Sequence, residues 1–179
     1  YLVRSLYFDD FNDQDYYDKQ GGEMIRKKVR LRIYDKSDKK AKLEIKGKYD
    51  YHQLKRSLLI HRKQADSSIN GDYSFLIDLD NEVAHDLYIM LNTGLYKPKV
   101  IIEYDRIAYL TSMNTRITID YNIKRALDIE NFFNGDINYL DICQDDRASP
   151  SQLLQPLCHT RHLQPPHKPA PRLCPCRFS

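Results

Sequence analysis

The first 142 residues contain no cysteine, a single proline and no long apolar run. Without cysteine, this part of the chain carries no disulfide framework, which fits a reducing compartment, so we expect a cytoplasmic location. A membrane-spanning helix needs about 18 consecutive apolar residues, so a membrane segment is excluded. The chain also lacks an initiator methionine and a signal peptide, because YLVRSLYFDD opens directly on a strand-like pattern. We expect this start to be a cut edge of a longer domain.

The main body of the chain has no excess of positive charge. The whole sequence has 28 Lys and Arg residues against 25 Asp and Glu residues, a net charge of +3. From Asp146 onward, five basic residues stand against one acid, which leaves residues 1–145 with 23 basic and 24 acidic residues and a net charge of −1. An anion-binding role of the body therefore requires local clustering of cations, because bulk charge does not supply it.

The composition changes abruptly near residue 143. All 14 tyrosines and all six glycines precede it, whereas seven of the eight prolines and all four cysteines lie at or after Cys143. We therefore assign residues 1–142 to one domain and residues 143–179 to a Pro/Cys-rich tail. The tail is either natively disordered or derived from a frameshift, and the simultaneous loss of the body's preferred residues favours the frameshift. Its cysteines and histidines lack the paired spacing of a zinc site.

Residues 1–142 read as strands with helices inserted between groups of strands, which predicts an α+β fold. The polar segment FNDQDYYDKQGG reads as a turn-rich connection, and Ser112-Met113-Asn114 as the turn of the last hairpin. A helix is predicted over 74–92, with Gly94 as its C′ stop. Strands are predicted at 2–9, 23–35, 40–49 and 53–61, and in the late hairpin KVIIEYDRIAY and TRITIDYN.

Basic residues recur at alternate positions of two neighbouring strands. Because strand side chains alternate between faces, the residues within each strand's set share one face. The sets are Arg26, Lys28, Arg30 and Arg32, then Lys42, Glu44, Lys46 and Lys48, with Lys55, Arg106 and Arg116 on later strands. Like charges that face each other destabilise a sheet, and Glu44 offsets only one of them, so this face calls for a multiply charged anion. A solvated polar sheet face is the alternative interpretation.

The cations of the second strand have no aromatic residue between them on their own face. Sheets that bind nucleic acid stack bases on such aromatics. Phosphate chains are therefore the better fit, and no nucleic-acid partner is expected, although a nucleic-acid-binding sheet remains as a further alternative. Closing the strands into a barrel would gather the cations around a lumen, where a low dielectric strengthens each contact.

Several motifs, in this order and spacing, resemble the VTC domain, the vacuolar transporter chaperone type of polyphosphate polymerase in the triphosphate tunnel metalloenzyme superfamily. They span about residues 1–133 and are YLVRSLYFDD, RKKVRLRIYD, LEIKGK, LKR, PKVIIEYDRIAY and TRITIDYN. The resemblance implies an antiparallel β-barrel, or tunnel, lined with basic residues and flanked by helices. Because the family's first and last strands have no clear counterpart here, we expect a partial copy of the tunnel that is incomplete at both ends.

The resemblance also implies an activity. Catalytic members transfer the terminal phosphoryl group of ATP to a growing polyphosphate chain and use a divalent metal, Mn²⁺ or Mg²⁺. The expected partners are therefore ATP and polyphosphate or triphosphate. The residues that match the family's phosphate-binding positions are Arg30, Arg32, Lys46, Lys55, Arg106 and Arg116, and Lys28 and Lys48 are further candidates on the same strands.

The expected metal ligand is where the chain departs from the family. The family's last strand carries a metal-binding glutamate, whereas this chain reads INYLDICQDD at that place, and Asp141 is a poor substitute. Glu44 and Glu103 are alternative metal candidates, although Glu103 is out of phase with Arg106 and Glu44 fits the role of a local ion partner. No catalytic residue is assigned, and activity is expected to be impaired. Binding of polyphosphate or triphosphate without transfer, or triphosphate hydrolysis, remains open.

Overall fold

The computed structural model describes residues 1–112, 115–135 and 137–140. Short 3₁₀ turns lie at Ser74–Leu76 and Ile129–Asn131. In the part of the chain that is described, no helix combines the length and the apolar content needed to cross a membrane. The main elements, in chain order, are β1 (Leu2–Asp9), α1 (Gln14–Gln20), β2 (Ile25–Ile33), β3 (Lys40–Tyr49), β4 (His52–His61), α2 (Arg62–Ile69), α3 (Glu82–Thr93), β5 (Lys97–Leu110) and β6 (Arg116–Ala126).

The six strands form one sheet in the order β4-β3-β2-β1-β5-β6, and every neighbouring pair is antiparallel. Tight connections join β2 to β3, β3 to β4 and β5 to β6, whereas β1 lies in the middle and joins the two groups of strands. Within the described residues β4 and β6 are the two edges, so the sheet is open. The predicted α+β class, with an antiparallel tunnel-type sheet flanked by helices, is confirmed.

One face of the sheet carries the hydrophobic core. Val29, Leu31 and Ile33 alternate along β2 and are fully buried, and Leu43 lies beside Leu31 on β3. Helices α2 and α3 add Ala65, Ala84, Leu87 and Leu91 to the same cluster. Each fully buried aliphatic side chain of this size contributes roughly 1.5–3 kcal/mol. The helices therefore cover this face, and the alternate side chains of the same strands point to the other.

The helix predicted over 74–92 was wrong at its start, since α3 begins at Glu82. The Asn81 side chain caps it by accepting hydrogen bonds from the backbone N–H groups of Val83 (2.9 Å) and Ala84 (3.3 Å). The apolar residues before Asn81 belong partly to the 3₁₀ turn Ser74–Leu76. The start of the helix was therefore predicted too early, because the apolar periodicity continues across the capping residue.

Two further local expectations were wrong. The segment read as a connection contains the short helix α1, whose first turn is held by the Asp9 carboxylate through the backbone N–H groups of Asp15 and Tyr16, both at 3.0 Å. Gly94 ends α3 with φ −84° rather than a left-handed conformation, which falls instead on Leu95 at φ 49°. Glycine is still required at position 94, because an added Cβ would lie 2.6 Å from the Tyr96 ring.

A buried charge ties the segment that follows β6 to the sheet. Arg4 on β1 is fully buried and donates to the Glu103 carboxylate of β5 at 2.6 Å. The same guanidinium donates to the carbonyl oxygens of Phe132 and Asn134, both at 2.7 Å. These contacts lie on the helix-covered side, so Glu103 faces away from Arg106, as its odd spacing predicts.

Some expectations fall outside the described residues. These are most of the turn at 112–114, Asp141, and the tail with its cysteines and histidines. The domain boundary at residue 142 stays a prediction.

The Arg4–Glu103 pair is expected to be far more important for stability than an exposed pair. Replacing Arg4 by Met should lower the free energy of unfolding by about 3–5 kcal/mol, because Glu103 is left charged and buried without its partner. The control is Asp86→Asn, which breaks the half-exposed ion pair of Arg56 with Asp86 and should cost under about 1 kcal/mol. Urea unfolding measures both, and equal losses would contradict this account.

Candidate functional site

The face of the sheet opposite the helices is strongly basic, and we call it the basic face. Strand register sets its members, because Arg30 pairs with Glu44, and Lys46 pairs with both Lys28 and Lys55. Asp120 on β6 pairs with Arg106 on β5, in phase with Arg116 at the far end of β6. The cations of this face include Arg26, Lys28, Arg30, Arg32, Lys42, Lys46, Lys48, Lys55, Arg106 and Arg116, and its carboxylates include Glu44 and Asp120.

Glu44 is the centre of the largest cluster on the basic face. Its side chain is only 1% exposed. Arg30 Nε lies 2.7 Å from Oε2, and Lys55 Nζ lies 2.7 Å from Oε1. Arg32 approaches Oε2 at 4.0 Å, and Ser57 donates its hydroxyl to Oε1 at 3.3 Å. One carboxylate of β3 therefore holds three cations from its two neighbouring strands, β2 and β4.

The charge state of Glu44 follows from these contacts. Burial alone would raise the pKa of the Glu44 carboxyl, but the hydrogen bond from Lys55 and the charges of Arg30 and Arg32 outweigh it and lower the pKa to about 2. Glu44 is therefore ionised at neutral pH, and the cluster of three cations and one carboxylate keeps a net charge of +2.

A tyrosine hydroxyl links the two halves of the basic face. Arg32 on β2 and Arg106 on β5 both point toward the Tyr104 hydroxyl, at 3.5 and 3.2 Å. They meet above β1, where the small side chain of Ser5 accepts from Arg32 Nε at 3.0 Å and leaves room for them. Burial raises the pKa of Tyr104 although both arginines oppose it, so the phenol keeps its proton. With its oxygen facing both guanidiniums, the hydroxyl proton is available to an acceptor on the open face.

Arg106 and Arg116 differ in how firmly they are held. Arg106 makes a bidentate pair with Asp120, with both contacts at 2.6 Å, and its guanidinium lies 5.1 Å from the Tyr104 ring centre. The hydrogen bond to Asp120 raises the pKa of Arg106. Arg116 is exposed and donates to the Tyr1 hydroxyl at 3.1 Å. Arg106 is therefore oriented in advance, whereas Arg116 lies further out along the hairpin.

Three lysines form a row across three strands. Lys28, Lys46 and Lys55 lie opposite one another in the register of β2, β3 and β4. Burial, together with the nearby charges of Lys19 and Arg26, lowers the pKa of Lys28 to about 8. Lys48 lies in the next row, opposite Arg26. Like charges in register cost the sheet stability, so this row is an unfavourable arrangement for an isolated domain.

The structure brings together only part of the predicted phosphate-binding set. Arg30, Arg32 and Lys55 meet at Glu44, and Arg106 is joined to Arg32 through Tyr104. Lys28, Lys46 and Lys48 share the face in neighbouring rows, and Arg116 lies apart from the cluster. That these side chains bind phosphate stays a prediction.

The polar groups that connect the arginines were not predicted from the sequence. Ser5, Tyr104 and Ser57 all follow the same alternation, Tyr104 two residues before Arg106 and Ser57 two residues after Lys55. The signal was therefore present, but it was read only for charged residues.

Glu44, Glu103 and Asp120 do not fit a divalent cation. Both oxygens of Glu44 already accept from Arg30, Lys55 and Ser57, Glu103 lies on the helix-covered side with Arg4, and Asp120 is bidentate to Arg106. Within residues 1–112, 115–135 and 137–140 no group of three Asp, Glu, His or Cys side chains could hold a metal. We therefore derive no catalytic step through Mn²⁺ or Mg²⁺.

Replacing Glu44 by Gln tests its role as an ion partner. The variant should lose about 3 kcal/mol of stability at neutral pH, because three cations are left without their carboxylate. The pKa of Glu44 is about 2 in the folded domain, against an ordinary value of 4.5, so its contribution to stability is present above the higher value and is lost as pH falls toward the lower one. Urea unfolding across this acid range should show a smaller pH dependence for Glu44→Gln than for the unchanged domain.

The same variant distinguishes two possible roles of Glu44, as an ion partner of the cations and as a metal ligand. With the carboxylate gone, the cluster is more positive, so calorimetry should show tighter tripolyphosphate binding than in the unchanged domain. A loss of binding that appears only when Mn²⁺ is present would contradict the ion-partner role and favour a metal ligand.

The chain matches one protein family and is similar to a solved structure. The VTC domain family matches residues 1–158, and no curated protein matches. The chain is similar to a crystal structure described as a "putative adenylate cyclase" from Bacillus halodurans, with 12% sequence identity and a TM-score of 0.48, over 77% of this chain and 62% of that one. The chain thus spans about 62% of the length of that protein. The match over residues 1–158 shows that the chain belongs to the VTC domain family.

Proposed function

We propose that this domain binds the linked phosphates of ATP and polyphosphate on its basic face and transfers the terminal phosphoryl group of ATP to polyphosphate. The observation that carries the proposal is the convergence of Arg30, Arg32 and Lys55 on one buried carboxylate, with Arg106 joined through Tyr104. The membership in the VTC family supports the transfer reaction. A cytoplasmic location, where ATP is available, is part of the same proposal.

The energetic cost of the basic face supports a polyanionic ligand. Opposed like charges each cost about 0.2–1 kcal/mol, and the row Lys28, Lys46 and Lys55 contains two such contacts. A chain of phosphates lying across the row would replace repulsion by charge-assisted hydrogen bonds, which are about twice as strong as neutral ones. Binding would therefore remove the electrostatic repulsion between the lysines of this row in the unbound domain.

The geometry of the arginines suits a phosphate ligand. A guanidinium presents a planar fork that binds two phosphate oxygens at once, and the Asp120 carboxylate fixes the orientation of Arg106 in advance. Phosphoryl transfer depends mainly on positioning and charge neutralisation. Arg32, Arg106 and Lys55 supply positive charge from separate strands, so a donor triphosphate and an acceptor chain can be held side by side.

A second candidate function is phosphate-chain binding without transfer. The specific observation in its favour is the donor set, because the oxygens of Glu44 are occupied by Arg30 and Lys55 and fit no metal. Incubating the whole chain with ATP, Mn²⁺ and a short polyphosphate primer distinguishes the candidates. Primer growth supports transfer, release of free phosphate indicates a triphosphate hydrolase, and neither product with retained binding supports the binding module.

Tripolyphosphate is expected to bind the unchanged domain and raise its melting temperature, because a ligand that binds only the folded state stabilises it. Arg106→Gln should weaken binding about tenfold, the equivalent of one charge-assisted hydrogen bond. The matched control is Lys63→Gln on the exposed surface of α2, which should bind normally. Equal effects of the two variants, or no melting shift at millimolar tripolyphosphate in the unchanged domain, would overturn the proposal.

Binding should also weaken as the solution becomes alkaline. The pKa of Lys28 is about 8 in the unbound domain, so above this pH the row loses a positive charge that a polyanion needs. Between about pH 7 and pH 9 the affinity of the unchanged domain should fall relative to Lys28→Arg, whose guanidinium stays charged. Calorimetry of both proteins with the same ligand cancels the titration of tripolyphosphate itself. Parallel pH profiles would exclude Lys28 from the site.

A further inference from the structure

Two exposed tyrosines lie at one end of the basic face. Tyr1 precedes β1 and is 55% exposed, and Tyr34 follows β2 and is 37% exposed. Their ring centres are 6.1 Å apart, with the planes tilted by 58°. We call them the tyrosine pair. They flank different strands, so the register of β1 and β2 rather than local sequence brings them together.

The tyrosine pair directly adjoins Arg32 and Arg106, two of the predicted phosphate-binding residues. Tyr34 lies two residues beyond Arg32, about 7 Å along an extended chain. The Tyr1 carbonyl accepts from the backbone N–H of Arg106 at 2.8 Å, which sets Tyr1 beside that arginine. Arg32 and Arg106 in turn meet at the Tyr104 hydroxyl. One end of the phosphate cluster therefore opens onto two exposed aromatic rings.

Cations frame the tyrosine pair on both sides. Arg116 donates to the Tyr1 hydroxyl at 3.1 Å, and Lys42 Nζ lies 5.1 Å from the centre of the Tyr34 ring. The third tyrosine beside these arginines, Tyr104, also has a cation over its ring but is less exposed than Tyr1 and Tyr34. Tyr1 and Tyr34 thus offer open ring surface next to a phosphate site, while Tyr104 offers its hydroxyl.

We propose that the tyrosine pair holds the base of a nucleoside triphosphate whose phosphates lie on Arg32 and Arg106. The inference rests on the proposed function, because it assumes that phosphates bind to these arginines. It gives the donor a direction: the base lies at the Tyr34 end, and the phosphates run from there toward Glu44 and Lys55. A polyphosphate chain has no base, so it does not use the pair.

The chemistry of the tyrosine pair predicts little discrimination between different bases. Aromatic stacking tolerates every base, because each base has a π face. The Asp38 carboxylate next to Tyr34 already accepts from the backbone N–H groups of Tyr34 and Asp35, at 3.0 and 2.9 Å. The side chains that contact the pair are the cations Arg116 and Lys42. ATP and GTP are therefore expected to bind with similar affinity, and both use the pair.

The test compares two probes, ATP and tripolyphosphate, by calorimetry on the whole chain without metal. Tyr34→Ala should weaken ATP binding about five- to tenfold, the lower range for loss of one stacked base, and leave tripolyphosphate affinity within about twofold. Tyr34→Phe keeps the ring and should bind ATP normally. Tyr51→Ala is the matched control, because Tyr51 is an exposed tyrosine at the turn between β3 and β4, and it should bind both probes normally.

The outcomes separate this inference from the function on which it rests. Selective loss of ATP binding in Tyr34→Ala, restored in Tyr34→Phe, supports the base site. Unchanged ATP binding in Tyr34→Ala, or an equal loss of both probes, overturns it while phosphate binding on the basic face stands. Failure of the unchanged chain to bind tripolyphosphate overturns the proposed function and the base site together.

Discussion

A single buried carboxylate organises the cations of this domain. Glu44 lies on the central strand of the β2, β3 and β4 group, so cross-strand neighbours reach it from both sides. Removing a carboxylate from water is costly, and here Arg30, Arg32 and Lys55 offset that cost together. The same contacts fix where three positive charges lie. Because one negative charge cannot balance three positive ones, the cluster is assembled yet remains strongly attractive to an anion.

The two faces of the sheet divide stability from binding. The helix-covered face contains the hydrophobic core and the Arg4–Glu103 pair, whose polar atoms are satisfied internally. The excess positive charge of the basic face is directed toward the side that the helices do not cover. A shift of one residue in register would exchange the two sets of side chains, so the buried aliphatic residues of β2 and β3 also fix the position of every cation opposite them. Core packing therefore determines the geometry of the site.

Much of this arrangement could be predicted from alternation within single strands. The bounds of β1 and β3 agree with the structure, and the cations of β2 share one face because the period of a strand is two residues. Interactions between distant strands could not be predicted. That Arg32 and Arg106 meet at Tyr104 depends on β1 lying between β2 and β5 with a small Ser5 at the crossing. Helix α1 was missed because its residues are polar, and its first turn depends on the Asp9 carboxylate, which precedes it in the chain.

The most direct test of the account is a crystal structure of the chain with tripolyphosphate. The account predicts phosphate oxygens within hydrogen-bond distance of Arg32, Arg106 and Lys55, with the Arg30–Glu44 ion pair intact and the Tyr104 hydroxyl donating to the ligand. Tripolyphosphate bound on the helix-covered side, or held only by cations outside the sheet while Arg32 and Arg106 keep their present contacts, would contradict it.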